Sequence, residues 1–191
     1  MTVLPAESAP LLPRRRELLI ATAFVVASIG MLMLTLLGLY LEARSGQRAA
    51  WLVDNVIPLA QPNVILFSLL MSSVTVQWAV YSIARDDRGH LYFAIGMTIM
   101  FGIAAIVQTW FLYSQIGLAI RQAEGGYFYA LTGTHLAMMV GGLLFLAVVG
   151  LRALGGSFSA RRPEGISAAA LFWHATVAFY AVVWLAVYVM K

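Results

Sequence analysis

Cysteine is absent from the 191 residues, which removes disulfides, thiolate catalysis, cysteine-ligated zinc and iron–sulfur clusters as explanations of this chain. Charge is scarce as well. Only 10% of the residues are Asp, Glu, Lys or Arg, against about 25% in a typical soluble domain, so water is not the solvent of most of this surface. None of those charges falls within residues 18–41, 55–84, 91–120, 125–151 or 165–190. The sequence also lacks a phosphate-binding loop, a nucleophile elbow, a carboxylate pair inside an apolar run and any internal repeat. The last absence argues against transporters built from duplicated halves.

What fills the chain instead is apolar: 62% of the residues are hydrophobic, and mean hydropathy is +0.87. Each charge-free stretch is at least 24 residues long, and roughly 20 suffice for a helix to cross a ~30 Å hydrocarbon core. Two-residue alternation is missing, so the runs read as helices, which satisfy their own backbone in lipid, and not as barrel strands. The sequence therefore predicts an all-α membrane protein, a bundle of five transmembrane helices. Its single membrane domain covers 18–190, with helices at about 18–42, 63–84, 91–120, 126–151 and 166–190. Residues 1–17, with Pro5, Pro10, Pro13 and Arg14-Arg15-Arg16, read as a flexible cytoplasmic tail. The 24 uncharged residues after it exceed the usual 7–15 of a signal-peptide core, so this run is read as the first span. Pro58 and Pro62 place the start of the second helix near Asn63, leaving 43–62 as an external loop that carries Trp51.

The net charge of +4 follows topology and not nucleic acid. Alternate connections divide the basic residues eight to four. Arg14, Arg15, Arg16, Arg85, Arg88, Arg152, Arg161 and Arg162 fall on one side, and Arg44, Arg48, Arg121 and Lys191 on the other. The richer side is cytoplasmic by the positive-inside rule, which places the C-terminus outside.

The polar residues within the spans are the candidates for function: Gln77, Gln108, His135 and His174. Gly133, Ala137 and Gly141 form a small-residue stripe on the fourth helix, and Ala170, His174 and Ala178 a similar one on the fifth. Small residues at that spacing suit close helix packing. His135 and His174 invite the idea of a haem between the last two helices. Counting from Tyr127 and Ile166, each lies about 12 Å from opposite membrane faces, an offset of roughly 6 Å along the normal. Two axial ligands of one haem should be level. The sequence therefore predicts no haem and no metal of the chain's own, with each histidine a neutral hydrogen-bonding group.

Several segments resemble subunit III of the haem–copper oxidases in its five-helix bacterial form. Tyr129 to His135, with Thr132-Gly133 before the histidine and Gly142 beyond it, matches the family's T-G-x-H segment. Leu171-Phe172-Trp173-His174 matches its L-[FY]-W-H. Gly156 to Ser159 with the basic pair after it, and Pro58 to Thr75 with Asn63 and Ser72-Ser73, have the family's look. The departures are specific. Ile29, Phe111 (three after Gln108) and Val177 stand where the family keeps acidic residues, and Met138 replaces a second histidine.

The resemblance implies a non-catalytic, stabilising subunit of a terminal oxidase in the aerobic respiratory chain. Its partners would be the catalytic subunit I, which holds the haems and copper, and the other oxidase subunits. It implies bound phospholipid in a cleft between the first two helices and the last three, and residence in the bacterial cytoplasmic membrane. Accessory subunits of nitric oxide reductase share much of this signature. A haem-binding membrane cytochrome and a small transporter are further functions open to a bundle of this kind. Cysteines introduced in place of Arg88 and Arg121 should react with impermeant label from opposite sides of the membrane; labelling from one side would refute the five-span map.

Overall fold

The computed structural model describes residues 16–46, 51 and 57–190. Most of the predicted tail (1–17) lies outside the described residues, as do Arg48 and Lys191. Five helices follow in order: α1 (Glu17–Gly46), α2 (Ala60–Ala84), α3 (Arg88–Ile116), α4 (Ala123–Leu154) and α5 (Glu164–Val183), the last running on into a π-helical turn, Trp184–Val189. All five are long and apolar enough to cross a membrane.

Helix ends depart from the sequence reading for local reasons. α2 starts at Ala60, not at Asn63, because Pro62 occupies the first turn, where a missing N–H costs nothing. α3 stops at Ile116, four residues short of the predicted 120, where Gly117 turns left-handed at φ 62°. That is the usual glycine end to a helix. α1 carries on past 42 to Gly46. At the start of α3 the Asp87 side chain accepts the His90 backbone N–H at 3.2 Å and meets its ring Nδ1 at 2.7 Å. First that backbone bond and then the ring hold the Asp87 carboxyl below its ordinary value. This cap is therefore intact above the ordinary carboxylate range and is lost as pH falls through the depressed value.

α2, α3, α4 and α5 close a ring in which each packs on the next and α5 returns to α2. α1 lies outside the ring against α4 and α5. α1 and α2 do not pack on each other, and each meets the last three helices separately, α1 at α4 and α5 and α2 at α3 and α5. α1 runs parallel to α5 and is fixed along its length. The Glu164 carboxylate accepts the Leu18 N–H at 2.7 Å and the Leu19 N–H at 3.3 Å, supplying from α5 the cap that the first turn of α1 needs. Phe179 fills the space over Gly30. At the far end the Arg44 guanidinium donates to the Ala186 carbonyl at 3.1 Å.

Within the bundle, the close glycine contacts lie beside the predicted stripe and not on it. A Cβ at Gly133 or Gly141 would meet nothing within 4 Å, and Ala137 and Gly141 face outward. The stripe therefore makes no helix contact inside this bundle. Its neighbour Gly142 does, because a Cβ there would lie 2.8 Å from the Trp173 ring, and one at Gly102 2.8 Å from the same ring's far edge. Gly142→Ala should lower the thermal stability of the purified chain by about 1–3 kcal/mol, the usual range for overpacking. Gly141→Ala should be neutral or mildly stabilising, since alanine is the better helix former. Equal losses at the two sites would contradict this register.

Candidate functional site

The motif residues converge where α5 meets α2 and α4. Trp173 is fully buried, its ring pressed on Gly142 of α4 and Gly102 of α3. Its indole N–H donates to Ser72 Oγ on α2 at 2.9 Å, and that hydroxyl donates to the Leu69 carbonyl at 2.6 Å. The next residue, His174, meets the next residue of α2: Ser73 Oγ lies 2.6 Å from Nδ1, and Gln77 Oε1 lies 3.1 Å from Nε2. An amide oxygen only accepts, so Nε2 carries the proton, and the serine hydroxyl donates to Nδ1 of a neutral ring. Two consecutive residues of α5 thus grip two consecutive residues of α2.

One turn and more along α5, the Tyr180 hydroxyl donates to the Pro62 carbonyl at 3.1 Å, and Trp184 Nε1–H donates to Asn63 Oδ1 at 2.8 Å. Toward α4, His135 is buried, and its Nε2–H donates to the Thr176 carbonyl at 2.9 Å. The ring lies against Tyr180 with centroids 5.1 Å apart. Tyr113 of α3 donates to Thr132 Oγ1 at 2.8 Å, which in turn donates to the Phe128 carbonyl at 2.8 Å. Thr75 and Thr98 pair across α2 and α3 at 2.8 Å. A small internal cavity between these pairs is lined by Thr109, Thr132, His135, Tyr180 and Tyr188.

The predicted candidates therefore fall into three groups. Asn63, Thr132, His135, Trp173 and His174 each tie one helix to another. Gly142 is the seat of Trp173, whereas Gly133 touches no neighbouring helix through a Cβ direction. Gln108 is half-buried on α3 and makes no hydrogen bond among the described residues. The two histidines are not brought together, since His135 serves α5 and His174 serves α2. Among the described residues no group of three His, Asp or Glu converges as a metal site. Of the three apolar residues at positions where the resemblance implies acids, Val177 is buried and Ile29 packs on the core, while Phe111 faces out.

Sequence reasoning missed Tyr180, Trp184 and Glu164. The signal was the pairing of two aromatics with polar tips four residues apart, on the face of α5 that meets the start of α2. Glu164 carried no comparable signal.

A family model described as cytochrome c oxidase subunit III matches residues 45–191. Among curated proteins, cytochrome c oxidase subunit 3 of Sus scrofa is 35% identical over 133 residues, which is 69% of this chain and 49% of that protein. Its counterpart from Mus musculus is 34% identical over 138 residues, covering 72% and 51%. The chain spans about half the length of these relatives.

Trp173→Phe keeps the ring on its glycines but removes the indole N–H. It should cost about 0.6–1.7 kcal/mol, from the average to the largest value measured for interhelical hydrogen bonds in a membrane. Combined with Ser72→Ala, the double variant should cost little more than either alone. Full additivity in thermal or denaturant unfolding would show that the two residues are not coupled.

Proposed function

The chain belongs to the cytochrome c oxidase subunit III family, and from that premise we propose that it is a non-catalytic accessory subunit of a haem–copper terminal oxidase. It packs against the catalytic subunit I, which carries the haems and copper, and stabilises it. It brings no haem or metal of its own and holds phospholipid on its apolar outer faces. It resides in a bacterial cytoplasmic membrane with its N-terminus inside and its C-terminus outside. The carrying observation is the family match, which covers all of α2 to α5.

The geometry supports a scaffold. Four of the polar side chains that point inward are committed to neighbouring helices: Trp173 to Ser72, His174 to Ser73 and Gln77, His135 to Thr176, and Tyr180 to Pro62. A proton carrier needs a partner that takes the proton on, and the histidine neighbours here are hydroxyl, amide and carbonyl groups.

The test is purification of the tagged chain in mild detergent. The expected result is co-purification with a larger subunit that gives haem bands in the reduced spectrum and consumes oxygen. Recovery alone, or with a catalytic subunit that reduces nitric oxide and not oxygen, would overturn the reading. In reconstituted vesicles, His135→Asn and His174→Gln should lower assembly or thermal stability while the assembled complex releases as many protons per electron as before. A lower ratio at equal assembly would make these histidines proton carriers.

A further inference from the structure

α5 is covered by α4 and, through Phe179 on Gly30, by α1 on one flank. On the other flank it is held by α2 through His174. Because α1 and α2 do not pack on each other, a groove runs between them with α5 as its floor. The floor is His174, Ala178, Val182 and Leu185, spaced by three or four residues and hence on one face. Ala178, Val182 and Leu185 are exposed and His174 is half-buried. On the α2 wall stand Leu70 and Gln77, both exposed.

The groove is not uniformly apolar. Gln77 gives its oxygen to His174, while its amide NH2 has no partner among the described residues and opens outward. It lies eight residues before Arg85 along α2, or about 12 Å inside the charged boundary. An N–H group left unmet in hydrocarbon is costly. An acyl chain offers no acceptor at that depth, and lipid ester groups lie at the interface. A protein helix does offer one, and the alanine on the floor gives it room to approach.

We propose that this groove seats a transmembrane helix of the partner catalytic subunit, which presents a hydrogen-bond acceptor to the Gln77 amide. The proposal rests on the subunit III reading and adds to it the face by which the chain is held. The His174 ring, fixed on both nitrogens, holds the Gln77 amide oxygen, which leaves the NH2 of this exposed side chain as the end free to meet a partner.

The experiment uses the intact complex in its native membrane. A photo-crosslinking residue replaces Ala178 or, separately, Val182, and Val107 on the exposed face of α3 gives the lipid background. The groove positions should crosslink to the catalytic subunit well above that background. Gln77→Leu should weaken retention of the chain in mild detergent about three- to fifteen-fold, the equivalent of one interhelical hydrogen bond. If the chain co-purifies with the oxidase but the groove positions crosslink only to lipid or to a second copy of the chain, the groove assignment falls and the subunit reading stands. Unchanged retention of Gln77→Leu would likewise remove the assigned hydrogen bond. Failure to co-purify with any haem-bearing subunit would sink both.

Discussion

Trp173 is where three helices are decided at once. Its ring can be buried only if α3 and α4 each bring a glycine to it, and Gly102 and Gly142 do so. Its N–H can be buried only if the fourth member of the ring supplies an acceptor, and Ser72 of α2 does so. In lipid the apolar surface of a helix gains little by leaving the membrane for a neighbour, so packing and a few hydrogen bonds must hold the bundle together. A large aromatic on small residues provides the first, and its polar edge the second. The remaining pairs, from Tyr113–Thr132 to Tyr180–Pro62, extend the same arrangement toward one end of the ring.

α1 shows what happens to a helix without such an anchor. Among the described residues it exposes the most large apolar side chains of any helix, from Leu18 through Phe24 and Met31 to Leu41, and only Thr22, Gly30, Met33 and Tyr40 are buried along it. It is fixed at its ends by polar groups from α5, Glu164 at one and the Ala186 carbonyl at the other. The second contact draws on the π-helical turn, Trp184–Val189, whose wider winding relaxes the ordinary backbone pairing. The consequence is an unshared flank of α5 between α1 and α2.

Much of this was legible in the sequence because the bilayer imposes few options. Length and charge fixed the count, the all-helical class and the approximate spans. The family-like segments pointed to Trp173, His174, Thr132 and His135, all of which prove to be interhelix contacts. What could not be read was rotation about each helix axis. An all-round apolar helix has no polar face to mark its outside, so spacing alone could not say that Gly142 and not Gly141 lies under the Trp173 ring. The order of helices around the ring was hidden for the same reason. Short connections favour helices that are neighbours in space, whereas α1 and α2, separated by residues 47–59, do not pack on each other.

Apolar residues at the positions where the resemblance implies acids become intelligible once the spans have faces. Val177 lies on the buried side of α5 and Ile29 packs on the core of the bundle. A charged carboxylate within a span costs about 2.5–3.5 kcal/mol on insertion scales, and at these two positions it would need a partner already in place. The nearby polar side chains are committed elsewhere, His135 to the Thr176 carbonyl and His174 to α2. An acid at Val177 would therefore be a buried charge without a mate, a strongly destabilising arrangement. Apolar residues there are the complement of the hydrogen-bond pattern around them.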